Sequence, residues 1–270
     1  MRLSSGASGG RGSHVLIFFS LSLLLLGLLA LPTSALPKPS PSLVIAYVTV
    51  NSTTDPGDGI CNSTECTLRE AINAANAFAG ENIISFNIPI NSPGCNGVTC
   101  TITLSSDLPA INGLSTGTTI DGTTQAFYQG DTNPYGPEIE ISGESLGPGT
   151  TCWWIETSNN IIKGLVVNRC PAYGIWINGG DNNTIIGNYI GTDATGTADA
   201  GVGYDGILLN NGAQNNIIGG PSEAERNIIS GNTGDGIRLS GATTFYNVIK
   251  GNYIGTARTG TASLGNDHYG

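Results

Sequence analysis

A short motif recurs five times in the second half of the chain, and it constrains the fold more than any other feature. Each copy has an asparagine-rich turn, then two adjacent β-branched residues, then a glycine. The copies occupy residues 160–164, 184–188, 216–220, 227–232 and 247–252. Such close repetition indicates an array of small units that stack on one another, because none of them is large enough to form a core alone.

A second motif alternates with the first and places Gly-Ile before an apolar strand. Its copies begin at Tyr173, Asp205 and Asp235, and their glycines are 32 and then 30 residues apart. The strands are short and rich in Ile and Val, and Gly or Asn bounds them where a sharp turn needs a left-handed backbone. Equivalent strands that stack about 4.8 Å apart would pair every backbone group. We therefore predict an all-β fold, a right-handed single-stranded parallel β-helix with inward isoleucine columns.

Two other architectures fit the repeats poorly. Helical periodicity is missing from this region, which excludes a helical solenoid. A hairpin-based sandwich needs longer strands joined by tight turns. Residues 190–204 and 254–269 are expected to be loops that project from the same side of the coil. Residues 251–261 repeat residues 187–197, and the chain ends where the next strand is due, so we expect repeats over residues 111–270 that are truncated at the C-terminus.

The N-terminus has the pattern of an export signal. Arg2 and Arg11 precede an uncharged run at residues 15–31, and small residues at 33–35 fit a cleavage site. We predict a signal peptide at residues 1–35 and a Pro/Ser-rich spacer at residues 36–46. The alternative is an uncleaved signal anchor, because the 17-residue run is at the short limit for a membrane span. Otherwise no membrane span is expected in the mature chain.

Residues 47–110 are predicted to form an N-terminal cap that covers the open end of the coil. Thr67 and Glu70 make a capping box, with Thr67 as the N-cap and Glu70 at the third helical position. An amphipathic helix is predicted over residues 67–79, with Gly80 at its C-cap. Strands are predicted at residues 47–51 and 83–88, and the first irregular rungs at residues 101–104, 118–120 and 138–141.

The six cysteines all lie after the predicted signal peptide. An even number in an exported chain favours disulfides over metal ligation or a catalytic thiol. Two pairs are five residues apart and could close small loops, which leaves the last two cysteines for each other. This pairing is one of several that six cysteines allow. The disulfide candidates are Cys61 with Cys66, Cys95 with Cys100, and Cys152 with Cys170.

The sequence Cys66-Thr67-Leu68-Arg69-Glu70-Ala71 resembles the C-S-L-R-E-A motif that names a family of N-terminal domains on exported, mostly bacterial, β-helix proteins. The patterns at residues 86–89, 104–109 and 119–122 also look like that family. The rungs are similar to generic pectin-lyase-like repeats (PbH1 repeats). The resemblance covers roughly residues 45–270 and implies the fold rather than an activity, because this fold carries lyases, hydrolases, adhesins and passive surface proteins.

Composition limits the partners. A net charge of −10 with only 10 Lys and Arg argues against nucleic acid and against an anionic membrane surface. A polysaccharide or a cell-surface glycan remains the expected partner. His14 lies in the predicted signal peptide and His268 near the last residue, so histidine-based catalysis within the coil is not expected.

Asp205 and Asp235 are weak catalytic candidates. They occupy equivalent positions before Gly-Ile, so stacking would bring their carboxylates about 5 Å apart, which suits a Ca²⁺ site or a catalytic pair. Alternatively, Asp before Gly only makes the turn. Tyr173 and Tyr269 fill the same position in neighbouring rungs, which favours the turn.

Asp193 and Asp199 are weak Ca²⁺ candidates, with Thr192 and Thr195 as further oxygen ligands. The second copy of this loop has Ala257 and Ser263 instead, which favours a solvated loop. No cofactor is therefore predicted, with Ca²⁺ as the alternative.

Three further groups of residues have a structural and a functional interpretation. The basic residues of the coil could contact acidic sugars, or they could be ordinary surface residues. The tryptophans could stack on sugars or close the core near the cap, and the core is the preferred interpretation. The turn asparagines are predicted to form a ladder of side-chain hydrogen bonds. These groups are Arg169, Arg226, Arg238 and Lys250; Trp153, Trp154 and Trp176; and Asn160, Asn183, Asn216 and Asn247.

Together these features predict a secreted or cell-surface β-helix protein that is structural, adhesin-like or glycan-binding. The alternative is a polysaccharide lyase or glycoside hydrolase of the same fold, with its active face partly beyond residue 270.

Overall fold

The computed structural model describes residues 45–270. The predicted signal peptide, with the choice between cleavage and an anchor, and residues 36–44 of the predicted spacer lie outside the described residues. The elements in chain order are β1 (Ile45–Val50), α1 (Leu68–Ala77), β2 (Glu81–Phe86), β3 (Cys100–Thr103), β4 (Gly117–Asp121), α2 (Thr124–Gln129), β5 (Ile139–Ser142), β6 (Trp153–Ile155), β7 (Ile161–Lys163), β8 (Leu165–Asn168), β9 (Ile175–Asn178), β10 (Thr184–Ile186), β11 (Tyr189–Ile190), β12 (Ile207–Asn210), β13 (Ile217–Ile218), a 3-10 helix (Glu223–Glu225), β14 (Ile228–Ile229), β15 (Ile237–Leu239), β16 (Val248–Ile249) and β17 (Tyr253–Ile254).

These strands form three sheets, and all their pairings are parallel. Sheet A has the order β1-β2-β4-β7-β10-β13-β16, sheet B the order β3-β5-β8-β11-β14-β17, and sheet C the order β6-β9-β12-β15. From β7 onwards the chain enters sheets A, B and C in turn. Each circuit therefore adds one strand to every sheet, and the fold is mostly parallel β-sheet with few helices.

Matching isoleucines stack along the interior of sheet A. Ile120 is in register with Ile162, Ile162 with Ile185, and Ile185 with Ile218. All four side chains are fully buried. Three copies of the repeat, those with Ile162, Ile185 and Ile218, thus contribute one isoleucine each to the same apolar column, whereas the copy at residues 227–232 forms β14 in sheet B.

Asparagine side chains join successive circuits at the turns before sheets A and B. In the predicted ladder, Asn183 Oδ1 accepts from the backbone N–H of Asn160 at 2.8 Å, and Asn216 Oδ1 accepts from Asn183 in the same way at 2.8 Å. Asn247 continues this first ladder. A second ladder, which the sequence analysis did not predict, runs through Asn188, Asn227 and Asn252.

The predicted capping box is present at the start of α1. Thr67 is the N-cap, its side chain accepts from Glu70 N–H, and the Glu70 carboxylate accepts from Thr67 N–H at 2.8 Å. Leu68 and Ile72 lie on the buried face of the helix and join the apolar core, to which strands of all three sheets contribute. Local sequence therefore fixes where this helix begins.

The predicted end of α1 was wrong. The helix stops at Ala77 with Phe78 as its C-cap, and Ala79 is exposed and lies outside it. Phe78 N–H donates to Ala75 O, and the Asn82 side chain also donates to that carbonyl at 3.1 Å. The backbone N–H of the distant Leu114 also donates to Asn76 O at 3.0 Å, so these carbonyls of the last turn have partners without Gly80 as a cap.

The strands of the N-terminal segment fall close to their predicted positions. β1 begins at Ile45, so the predicted spacer extends two residues into it. β2, β3, β4 and β5 overlap the strands predicted at residues 83–88, 101–104, 118–120 and 138–141. The short helix α2 between β4 and β5 was not predicted.

The six cysteines form the three disulfides that their spacing favours. The bonds join Cys61 to Cys66, Cys95 to Cys100, and Cys152 to Cys170. The third bond ties the residue before β6 to the turn after β8. It therefore connects the entry of sheet C with the exit of sheet B.

Candidate functional site

The outward face of sheet C carries large aromatic side chains, whereas its inward face packs into the core. In β6, Trp153 and Ile155 are buried while Trp154 between them is half-buried, because successive residues of a strand point to opposite faces. Trp176 in β9 is in register with Trp154. Their rings stack with centroids 4.8 Å apart and planes inclined by only 12°.

This pair corrects the preferred interpretation of the tryptophans. Trp153 closes the core as expected, but Trp154 and Trp176 face outwards. The Trp176 indole is fixed by its Nε1–H, which donates to Asn210 Oδ1 at 2.8 Å on the neighbouring strand. The two indoles are thus held in place on the surface by one hydrogen bond and by stacking, in which each ring covers one face of the other.

Two tyrosines extend the aromatic surface around the turn before sheet C. The Tyr173 ring lies 5.7 Å from Trp176 and 5.6 Å from Tyr204, between centroids. Trp154, Trp176, Tyr173 and Tyr204 together are called the aromatic strip below. Tyr204 is 53% exposed, so the strip continues into open solvent rather than into the core.

A polar row borders the strip at the far ends of the same strands. Asn211 Nδ2 donates to Asn178 Oδ1 at 2.6 Å, and Asn178 Nδ2 donates to Glu156 Oε1 at 3.4 Å. These residues come from three successive circuits. Amide and carboxylate groups therefore line one side of an apolar, aromatic surface.

At the other side of the strip lies a pocket with a volume of about 430 Å³. Its lining residues come from successive circuits of the chain. They are Tyr173, Gly203, Tyr204, Asp205, Thr233, Gly234, Arg238 and His268. We call it the Asp205 pocket.

Asp205 is almost fully buried, and its two carboxylate oxygens differ. Oδ1 accepts from the backbone N–H of Asp235 at 2.9 Å, whereas Oδ2 has no hydrogen-bond partner within residues 45–270. Arg238 Nη1 lies 3.9 Å from Oδ2, which is beyond hydrogen-bond range. Burial raises the pKa of Asp205, although the backbone hydrogen bond and Arg238 oppose this, and the nearby Asp235 carboxylate adds to it.

Asp205 and Asp235 do occupy equivalent positions, with Tyr173 before them and Tyr269 after them. Gly206 N–H donates to Asp235 O at 2.9 Å, and Gly236 N–H donates to Tyr269 O at 2.8 Å. Each aspartate accepts from the backbone of the next circuit, Asp235 from Tyr269 N–H at 3.2 Å. One oxygen of each thus bonds the backbone of the next circuit, as the ladder asparagines do, and Oδ2 of Asp205 is left over.

The Ca²⁺ candidates have their oxygens committed to their own loop. Asp193 accepts from the Thr195 hydroxyl at 2.6 Å and from the N–H groups of Thr197 and Ala198, both at 3.0 Å. Burial opposes its ionised form, but these hydrogen bonds hold its pKa below the ordinary value. Asp199 accepts from Gly201 N–H at 2.8 Å. Across the described residues, no group of three or more His, Cys, Asp or Glu could hold a metal ion.

The basic residues are not brought together. Arg169 pairs with Glu140 at 2.9 Å next to sheet B. Arg226 lies over the Tyr253 ring, 4.2 Å from its centroid, and Lys250 follows β16 in sheet A. Arg238 lies in the outward column of sheet C, in register with Leu208, which follows Trp154 and Trp176.

A second and larger cleft, of about 680 Å³, lies between α2 and the 3-10 helix. Asp131, Glu138 and Tyr189 are among its lining residues. Burial raises the pKa of Glu138 to about 7, and the adjacent Asp131 carboxylate adds to this rise. One carboxyl group of this cleft is therefore partly protonated near neutral pH. Nothing local in the sequence marks this pair, so it was not predicted.

His268 lies near the last residue of the sequence, where no histidine-based catalysis was expected. It lines the Asp205 pocket, because two circuits of the coil bring residues 205 and 268 side by side. The only sequence signal for the pocket is the shared position of Asp205 and Asp235 in the repeat.

No protein-family profile matches the chain, and no curated protein is significantly similar to it. Within residues 45–270, no helix is both long enough and apolar enough to cross a bilayer. The sheet C surface and the two clefts are therefore the candidate functional sites of the described residues.

Proposed function

We propose that the chain is an exported, extracellular or cell-surface parallel β-helix that binds a polysaccharide or a cell-surface glycan through the aromatic strip. The regular A-B-C order of strands and the buried isoleucine columns support a β-helix over residues 111–270, with residues 47–110 as its cap. A right-handed coil is expected because parallel crossovers are almost always right-handed. The CSLREA-like sequence around Thr67 fits the same interpretation.

Export is supported by the disulfides together with the predicted signal peptide. The described part of the chain has three disulfides. Such bonds persist in oxidising compartments and are rare in the cytosol. The turn-linked repeats and acidic surface suit a structural or adhesin-like protein outside the cell.

The stacked pair of Trp154 and Trp176 carries the functional proposal. The two stacked indoles cover one face of each other, and the half-buried pair leaves an apolar surface against which the C–H face of a sugar ring can pack. Amide and carboxylate groups beside them, at Glu156 and Asn178, can then bond the hydroxyls at the ring edge. An outward aromatic surface with a polar border is typical of a ligand-binding surface and has no role in the core.

Affinity electrophoresis through gels that contain plant or bacterial polysaccharides tests this proposal. We expect at least one polysaccharide to retard the secreted protein. Trp176→Ala should weaken that binding by about tenfold or more, as the loss of a central aromatic anchor does. Phe127→Ala, which removes an aromatic ring that is 80% exposed on α2, is the matched control and should bind like the wild type.

Two results would contradict the proposal. One is the absence of retardation on a broad panel. The other is binding that Trp154→Ala and Trp176→Ala leave unchanged, since the glycan would then contact another surface.

A polysaccharide hydrolase is the second candidate, and the Glu138 and Asp131 pair favours it. A carboxyl group with a pKa of about 7 beside a second carboxylate, in an open cleft, has the protonation needed for general acid catalysis. New reducing ends in the same polysaccharide panel, lost in Glu138→Gln, would support this function. Ultraviolet-absorbing unsaturated products that require Ca²⁺ would instead indicate a lyase.

A further inference from the structure

The Asp205 pocket contains a buried acceptor that the fold does not use. Asp205 is only 4% exposed, and its Oδ2 has no partner within the described part of the chain. A buried carboxylate oxygen without a hydrogen bond costs free energy, so folds rarely keep one without a reason. The Oδ1 atom alone suffices for the link between circuits, because it already accepts from Asp235 N–H.

A donor faces this acceptor across a gap. Arg238 Nη1 is 3.9 Å from Asp205 Oδ2, which is too far for a hydrogen bond and leaves capacity on both groups. The Arg238 side chain is 56% exposed, so it can turn towards a ligand without leaving a buried site. The pocket therefore offers one acceptor and several donors next to the Tyr204 ring.

The two charges select among sugars. A carboxylate on the ligand would be repelled by the buried Asp205 carboxylate, and an ammonium group would be repelled by the Arg238 guanidinium. A hydroxyl group can donate to Asp205 and accept from Arg238 at the same time. Vicinal hydroxyls on a neutral sugar ring match this arrangement.

We propose that the Asp205 pocket binds one neutral pyranose residue at the end of the aromatic strip, with Asp205 Oδ2 accepting from a ring hydroxyl and Arg238 donating to the same or the adjacent one. This inference rests on the proposed glycan-binding function and names its substrate class. The pocket volume, about 430 Å³, lies within the usual range for small-ligand sites. The Tyr204 ring supplies the apolar face for the sugar.

Isothermal titration with methyl glycosides tests the subsite. The probes are the methyl glycosides of glucose, mannose and galactose, with those of glucuronate and glucosamine as charged counterparts. We expect a neutral glycoside to bind at least about tenfold more tightly than both charged ones.

Asp205→Asn is the main variant, because it can keep the bond to Asp235 N–H while replacing the free acceptor with an N–H₂ donor. It should weaken the neutral glycoside by about tenfold or more. Arg238→Gln should weaken binding of the neutral glycoside severalfold. Because Arg238 is exposed, this variant still tests the pocket if Asp205→Asn fails to fold. Asp199→Asn is the matched control, since Asp199 also accepts from one backbone N–H, and it should bind like the wild type.

The outcomes separate the two proposals. Equal binding by wild type, Asp205→Asn and Arg238→Gln, or a preference for a charged glycoside, would overturn the subsite. If polysaccharide retardation still depends on Trp176 in that case, the aromatic strip remains the binding surface. If the wild type binds neither polysaccharide nor glycoside, both proposals fail.

Discussion

The turns before sheets A and B differ from the outward face of sheet C in one respect: the turns repeat one residue, and the face does not. Asparagine occupies the same place in circuit after circuit, because each one bonds the backbone N–H of its predecessor. The outward column of sheet C reads Trp154, Trp176, Leu208 and Arg238. At the turns every circuit has the same buried backbone N–H to bond, so asparagine is repeated. The outward face of sheet C has no such shared group, so its side chains can differ from circuit to circuit and form a site.

The largest effect should come from the interior columns. Ile185→Ala removes a fully buried side chain between two stacked isoleucines, and we expect a loss of about 3 kcal/mol in the free energy of unfolding. Arg238→Ala on the exposed outward column should change it by less than about 0.5 kcal/mol. Urea denaturation measures both. Similar losses in the two variants would remove the distinction between interior and outward columns.

The ladders should come next. Asn183→Ala removes the acceptor of two bonds from Asn160, its N–H at 2.8 Å and its Nδ2 at 2.9 Å. The buried N–H of Asn160 would then have no partner, while its Nδ2 keeps its bonds to Thr157, and we expect a cost of about 2 kcal/mol in urea denaturation. Asn178→Ala in the polar row of sheet C is the matched control, because Asn178 is half-exposed and water can replace its bonds. A ladder variant as stable as this control would refute the structural role of the ladder.

Substitutions in the aromatic strip should lower glycan affinity rather than stability, which is the reverse of what we expect for the ladder. Trp176→Ala is expected to reduce polysaccharide affinity by about tenfold, or about 1.4 kcal/mol, while its thermal unfolding stays close to that of the wild type. Asn183→Ala should lower stability but leave affinity unchanged below its unfolding temperature. Affinity electrophoresis and circular dichroism on the same samples make the comparison. Parallel losses of affinity and stability in both variants would contradict it.

The smallest effects on stability should come from the ionisation of two aspartates. Asp55 in the cap and Asp205 in the turn before sheet C should affect stability with opposite signs. Burial opposes ionisation of Asp55, but hydrogen bonds from Arg69 and Ser105 hold its pKa below the ordinary value, whereas burial raises the pKa of Asp205. Ionised Asp55 therefore stabilises the fold above its unfolded pKa of about 3.9, and this contribution is lost as the pH falls through its folded pKa. Ionised Asp205 destabilises the fold once the pH has risen through its folded pKa.

Thermal unfolding from pH 7 down to pH 3 compares the two aspartates. Asp55→Asn should unfold at a lower temperature than the wild type at pH 7, and Asp205→Asn at a higher one. Both differences should shrink towards pH 3. Shifts of the same sign at pH 7 would show that one of the two environments is described wrongly.

Much of the fold follows from local and repeated patterns, and the site does not. The first ladder and the isoleucine column could be predicted because one circuit predicts the next. The start of α1 could be predicted because Thr67 and Glu70 are three residues apart. The end of α1 could not, because Asn82 and a distant N–H from Leu114 satisfy its last turn.

The Asp205 pocket shows why the site escaped prediction. Its residues come from successive circuits, and repeats give the position of a residue in the coil but not the direction of its side chain. Trp153 and Trp154 are neighbours in sequence, and only the register of β6 decides which of them is buried.

The second ladder had a sequence signal, since Asn188 and Asn252 both follow a Gly in the repeat.

Hydroxyl-radical footprinting with and without a bound polysaccharide tests the central claim most directly. The account predicts that oxidation of Trp154, Trp176 and Tyr204 falls on binding, while Phe127 and Tyr246, which are 80% and 75% exposed elsewhere, react as before. Protection centred on Tyr189 in the larger cleft, with the aromatic strip unprotected, would contradict it.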